Sequence, residues 1–209
     1  MRSAGAKRRS AQICSVRRGT TPFGAGLLTP PKRPTAGLLF CSAPPSTPRD
    51  PPMKLWLARH GEAEDPDRAA ADFGRELTDL GRRQVSQLTR WLLEREEAPE
   101  LILHSPLVRA RQTAEAIASE VGSEAVLLEE RLLAPGISTA SLLQRLRDSG
   151  SQRIVCVGHQ PDMSRCLAEM IGGGRHLYSP GTIAGVEFGH TVTIGSGGLR
   201  WLVDPFWFG

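Results

Sequence analysis

Lys54-Leu55-Trp56-Leu57-Ala58-Arg59-His60-Gly61-Glu62-Ala63 changes character at residue 59, where a short apolar run gives way to Arg-His-Gly. The run over 54–59 reads as a strand, and the polar residues mark its end. Downstream, short apolar runs alternate with helical patterns. After a polar segment at 61–77, the spacing predicts a helix over 79–97, with Thr78 as N-cap and Leu80, Val85, Leu88, Trp91 and Leu92 on one face. A strand at 100–104 is followed by a helix at 106–121, for which Ser105 is the expected N-cap and Pro106 the first residue. A strand at 125–129, a helix near 139–148, a strand at 153–157 and a helix at 161–171 come next. Gly172-Gly173-Gly174 stops that helix, and extended runs at 182–188 and 199–204 complete the sheet. This order predicts an α/β fold: a three-layer sandwich with a largely parallel central sheet flanked by helices.

Residues 1–52 differ from the rest. They hold nine Lys or Arg and one acid, Asp50, so subtraction from the totals of 26 and 22 leaves 17 basic and 21 acidic residues in 53–209. The overall excess of positive charge therefore belongs to the leader, and the remainder has no basic stripe to suggest nucleic-acid binding. Rich in Arg, Ser, Pro and Gly, the leader reads as disordered, as an organelle transit peptide, or as the product of a start assigned upstream of Met53. The third reading is preferred, because Met53 directly precedes the first strand. With no apolar run near the ~20 residues of a bilayer span, the expected location is the cytoplasm, or an organelle if the leader is real. Cys14 and Cys41 fall in the leader, and Cys156 and Cys166 in apolar segments without CxxC spacing, which argues against disulfides and zinc.

Arg59-His60-Gly61, Arg109 in the first turn of the second long helix, and Gly158-His159 all lie where strands end and helices begin. Ligands of open α/β sheets bind at the carboxyl ends of strands, so these segments can converge. Two arginines and two histidines near a helix start describe a receptacle for a phosphoryl group. Gly61 would let the backbone pass close to it. The acidic Glu62, Glu64, Asp65 and Asp67 lack metal-ligand spacing and read as solvated. His104, His176 and His190 read as structural or exposed, Trp56, Trp91 and Trp201 as core, and Arg111 as surface.

Arg59-His60-Gly61-Glu62-Ala63, Ser105-Pro106 with Arg109 and Gln112-Thr113, and Gly158-His159 resemble the histidine phosphatase superfamily, whose fold is phosphoglycerate mutase-like. Leu77-Thr78, His159-Gln160-Pro161, Leu167-Ala168-Glu169 and Thr182-Ile183-Ala184 are similar to its SixA-like phosphohistidine phosphatases, over essentially all of 54–204. The resemblance implies covalent catalysis without metal or cofactor, with His60 as nucleophile and Arg59, Arg109 and His159 on the phosphoryl oxygens. The acid that would protonate a leaving oxygen is harder to place; Glu130 and Glu62 are the candidates. An imidazole leaves more readily than an alkoxide, which points to phosphohistidine on a protein as substrate. The alternatives are a phosphatase or mutase for small phosphate esters and a non-catalytic phosphate-binding module. Neither membrane nor nucleic acid is expected as a partner.

Overall fold

A strand built from Met53–Arg59 (β1) alternates its side chains between two cores. In the computed structural model, which describes residues 51–66, 72–95, 98–122 and 125–208, Met53, Leu55 and Leu57 join one cluster. Trp56 and Ala58 join another on the opposite face of the sheet. The second cluster is filled by the helices Asp79–Leu93 (α1) and Val108–Val121 (α2), through Val85, Leu88, Leu92, Ala110, Ala114 and Ile117. The first is filled by Thr139–Ser149 (α3) and Asp162–Ile171 (α4), through Leu142, Leu143, Leu146, Met163, Leu167 and Met170. Helices thus cover both faces, which is why the central strands are apolar between their ends, as in 55–58 and 154–157.

The other strands are Leu101–His104 (β2), Val126–Glu129 (β3), Arg153–Gly158 (β4), Ile183–Phe188 (β5) and Gly197–Val203 (β6). Their order is β3-β2-β4-β1-β5-β6. β3, β2, β4 and β1 run parallel, while β5 pairs antiparallel with β1 and β6 antiparallel with β5. The sheet is largely parallel, as expected, with an antiparallel pair added on one side of the parallel block. β1 and β4 are neighbours whose following helices leave on opposite faces. That is the arrangement that opens a crevice at the strand ends.

Several boundaries move. α1 stops at Leu93 rather than 97, and its inward face is Gly81, Gln84, Val85, Leu88, Thr89 and Leu92. Leu80 lies about 140° around the helix from Val85 at 100° per residue and is exposed. Gln84 takes the inner position instead and accepts a hydrogen bond from Glu62 N. Thr78 caps α1, its Oγ1 accepting from Gly81 N at 3.0 Å. Ser105 does not cap α2: the helix starts at Val108, Leu107 precedes it without a side-chain cap, and the Ser105 hydroxyl turns toward His159. Trp56 is buried, whereas Trp91 and Trp201 are half-buried and meet edge to face with centroids 4.8 Å apart. His104 is buried with Nδ1 on Ser105 O, His176 is half-buried rather than exposed, and His190 is exposed. Cys156 and Cys166 are buried, free thiols whose pKa values burial raises. Cys14, Cys41 and Asp67 lie outside the described residues. Among the described residues no helix is long and apolar enough to cross a membrane.

Candidate active site

The parallel pairing of β1 with β4 sets Arg59 opposite Gly158, so the residues that follow, His60 and His159, emerge side by side. His60 N donates to Gly158 O at 3.2 Å, and the two imidazoles lie 5.2 Å apart between centroids at 55°. Both are buried. His60 Nδ1 is 2.7 Å from Gly61 O. A carbonyl only accepts, so Nδ1 carries the hydrogen and Nε2 keeps its lone pair. Burial is the main reason the His60 pKa falls to about 3; the Gly61 carbonyl opposes the fall, and His159, Arg109 and Arg59 add to it. Burial likewise takes His159 to about 4, with Arg109 helping and Asp72 and Asp162 opposing. Both rings are therefore neutral at neutral pH.

Arg109, near the start of α2, is buried, and all three of its guanidinium nitrogens are engaged. Nε donates to His60 Nε2 at 3.1 Å, Nη1 to Asp72 O at 2.8 Å and Nη2 to Asp72 Oδ2 at 3.2 Å. Asp72 belongs to a short 3-10 turn, Asp72–Gly74, and also takes Arg75 Nη1 at 3.1 Å. Arg75 first, and Arg109 after it, hold the Asp72 carboxyl below the usual range. Arg59 Nη1 donates to Tyr178 O at 2.8 Å, while its Nε is buried without a partner among the described residues. Burial and the neighbouring Arg109 and Arg75 lower its pKa. Thr113 ties the pieces together, accepting from Gly61 N at 3.2 Å and donating to Arg109 O at 2.7 Å. Beside Arg59 opens a groove of about 760 Å3, whose walls include Gln160, Arg175, His176, Tyr178 and Pro180. Its lining holds Arg59, Arg165 and Arg175 and no acid among the described residues.

Arg59, His60, Arg109 and His159 are thus together at one end of the sheet, and the other residues singled out in the sequence are placed differently. Gly61 makes its close approach to α1, where an added Cβ would lie 2.7 Å from Gly81 O. Glu130 caps the 3-10 turn Arg131–Leu133 through Leu132 N and pairs with Arg145 Nε at 2.7 Å, so its carboxylate is committed elsewhere. Glu62 is fixed by its backbone, to Gln84 Oε1 and Thr78 N. Sequence reasoning misses Asp72, which lies in a polar segment without periodicity, and the bond from Ser105 to His159, because Ser105 carries the local signature of a helix cap. No group of three or more His, Cys, Asp or Glu placed to hold a metal ion occurs among the described residues.

A family model described as Histidine phosphatase superfamily (branch 1) matches residues 55–133. A SixA homolog from Haemophilus influenzae, described as a phosphohistidine phosphatase, is 30% identical over an alignment of 146 positions that covers 63% of this chain and 86% of that protein. The chain belongs to the histidine phosphatase superfamily. Its likeness is to the SixA-like subgroup. Phosphohistidine phosphatase SixA of Escherichia coli is 28% identical over 157 residues, 73% of this chain and 94% of that one. The structure of the protein histidine phosphatase SixA complexed with tungstate superimposes with a TM-score of 0.67 at 25% identity, covering 75% of this chain and 100% of the other. The phosphoglycerate mutase-like sandwich expected from the RHG motif of this superfamily is the fold observed, with Arg59-His60-Gly61 at its central strand end.

Proposed function

We propose that residues 53–209 form a metal-independent phosphohistidine phosphatase acting on a phosphorylated histidine of a protein. The observation that carries this reading is the 2.7 Å contact of His60 Nδ1 with Gly61 O, which assigns the hydrogen to Nδ1 and leaves Nε2 as a neutral nucleophile beside Arg109 and His159. Arg109 must yield its bond to Nε2 when a phosphoryl group arrives, because the lone pair that accepts its N–H is the one that attacks.

In the first step His60 Nε2 forms a bond to phosphorus as the bond from phosphorus to the substrate imidazole breaks; that imidazole leaves with a proton from solvent. In the second, water adds to phosphorus, the P–Nε2 bond breaks, and phosphate departs. Arg59, Arg109 and His159 offset charge on the equatorial oxygens throughout. The reading is supported by likeness to SixA proteins and by the state of the carboxylates that could have served as the acid. Glu130 is tied to Arg145, and Asp72 is held ionised by two arginines, which suits a leaving group that departs without a strong acid.

The test is phosphate release from a phosphohistidine protein, with an acid-labile phosphoryl label trapped on His60 and lost in His60→Ala. Release from a panel of sugar phosphates but not from the phosphoprotein would favour the small-ester alternative. Full hydrolysis by His60→Ala would remove every covalent version.

A further inference from the structure

Ser105 is fully buried between β2 and α2, and its backbone is fixed from two sides. Its N donates to Val157 O at 3.0 Å, and its O lies 2.9 Å from His104 Nδ1. The hydroxyl oxygen has two partners: Leu107 N at 3.4 Å and His159 Nε2 at 2.7 Å. Leu107 N is a donor, so the hydroxyl hydrogen has one place to go, the Nε2 lone pair. Were Nε2 protonated instead, the hydroxyl hydrogen would be buried with no acceptor among the described residues, at the full desolvation cost of an unmet donor.

We infer that Ser105 is a positioning residue that holds His159 as its Nδ1–H tautomer and so presents that N–H to a phosphoryl oxygen in transit to His60. Nδ1 of His159 is buried and has no partner among the described residues, so its N–H is left unspent on a ring whose centroid is 5.2 Å from that of His60. The low pKa of His159 agrees with a neutral ring in which tautomer, rather than charge, is the quantity to be set.

The use made of the N–H rests on the phosphatase reading, whereas the tautomer itself does not. Histidine-labelled full-length protein, observed by long-range 1H–15N correlation at neutral pH and assigned with His159→Gln, should show His159 protonated at Nδ1 and bare at Nε2. Ser105→Ala should shift the population toward Nε2–H and lower kcat/KM about tenfold, the size of one lost hydrogen bond; Ser105→Thr, which keeps the hydroxyl, should restore the wild-type pattern. A wild-type His159 protonated at Nε2 overturns the inference, and that spectrum decides even if Ser105→Ala fails to fold. An unchanged Nδ1–H tautomer in folded Ser105→Ala overturns it too. Absence of any hydrolysis by the wild type would count against the phosphatase reading and leave the tautomer result standing.

Discussion

His60 and Arg109 sit close enough that each sets the other's chemistry. An imidazole whose pKa falls on folding binds fewer protons in the native than in the unfolded chain between the two values, so stability rises with pH across that window. For His60 the window runs from about 3 to 6.5, and for His159 from about 4 to 6.5. We expect the melting temperature to drop as pH is lowered from 6.5 toward 4, and the drop to be shallower in His60→Asn; parallel slopes would contradict the assignment. On the same grounds the acid limb of kcat/KM, which reports the free enzyme, should lie near pH 4 or below. Arg109→Ala should lower kcat about a hundredfold or more. Its effect on stability should stay near 1 kcal/mol, because Asp72 is largely exposed and water can replace the guanidinium. Arg109→Lys should recover little, since an ammonium cannot reach His60 and Asp72 in one fork. Thermal melts beside kinetics on the same samples check both claims.

At the scale of elements, α1 is what holds the loop after β1 in place. Gly81, in its first turn, lies against Glu62, and an added Cβ would come 2.0 Å from Glu62 O. Replacing glycine by alanine inside a helix ordinarily stabilises it by about 1 kcal/mol. Here the clash with backbone outweighs that gain, so Gly81→Ala should destabilise by about 1–3 kcal/mol, as overpacking does, and slow turnover by displacing His60. Chemical denaturation reads the first effect and phosphate release the second; a more stable Gly81→Ala protein would show the contact to be loose. Thr78→Ala removes the cap at the same helix start and should cost about 1 kcal/mol. Among the described residues α1 makes no hydrogen bond to the His60 side chain, so loss of the cap should leave kcat nearly unchanged at temperatures where the protein is folded.

Across the whole molecule, Met53 is the first residue of β1, pairs with Phe188 and is buried. A chain beginning at Met53 should therefore keep the melting temperature and turnover of the full protein within error. A marked loss in either would give residues 1–52 a structural part that their composition does not suggest. The order of strands and helices was legible from local patterning, because burial on one or both faces imposes a periodicity that can be read locally. The sequence also marked Arg59, His60, Arg109 and His159, because cationic and titratable side chains at strand ends conflict with an apolar core. Tertiary structure alone decided that β4 lies beside β1, which brings His60 and His159 to 5.2 Å, and that two strands run antiparallel. It alone sent Glu130 to Arg145, Asp72 to Arg109 and Ser105 to His159. Each of these is a contact between segments distant in sequence. A carboxylate or hydroxyl has the same local signature whether it caps a helix, meets solvent or orients a neighbour, and only the packed chain selects among those partners.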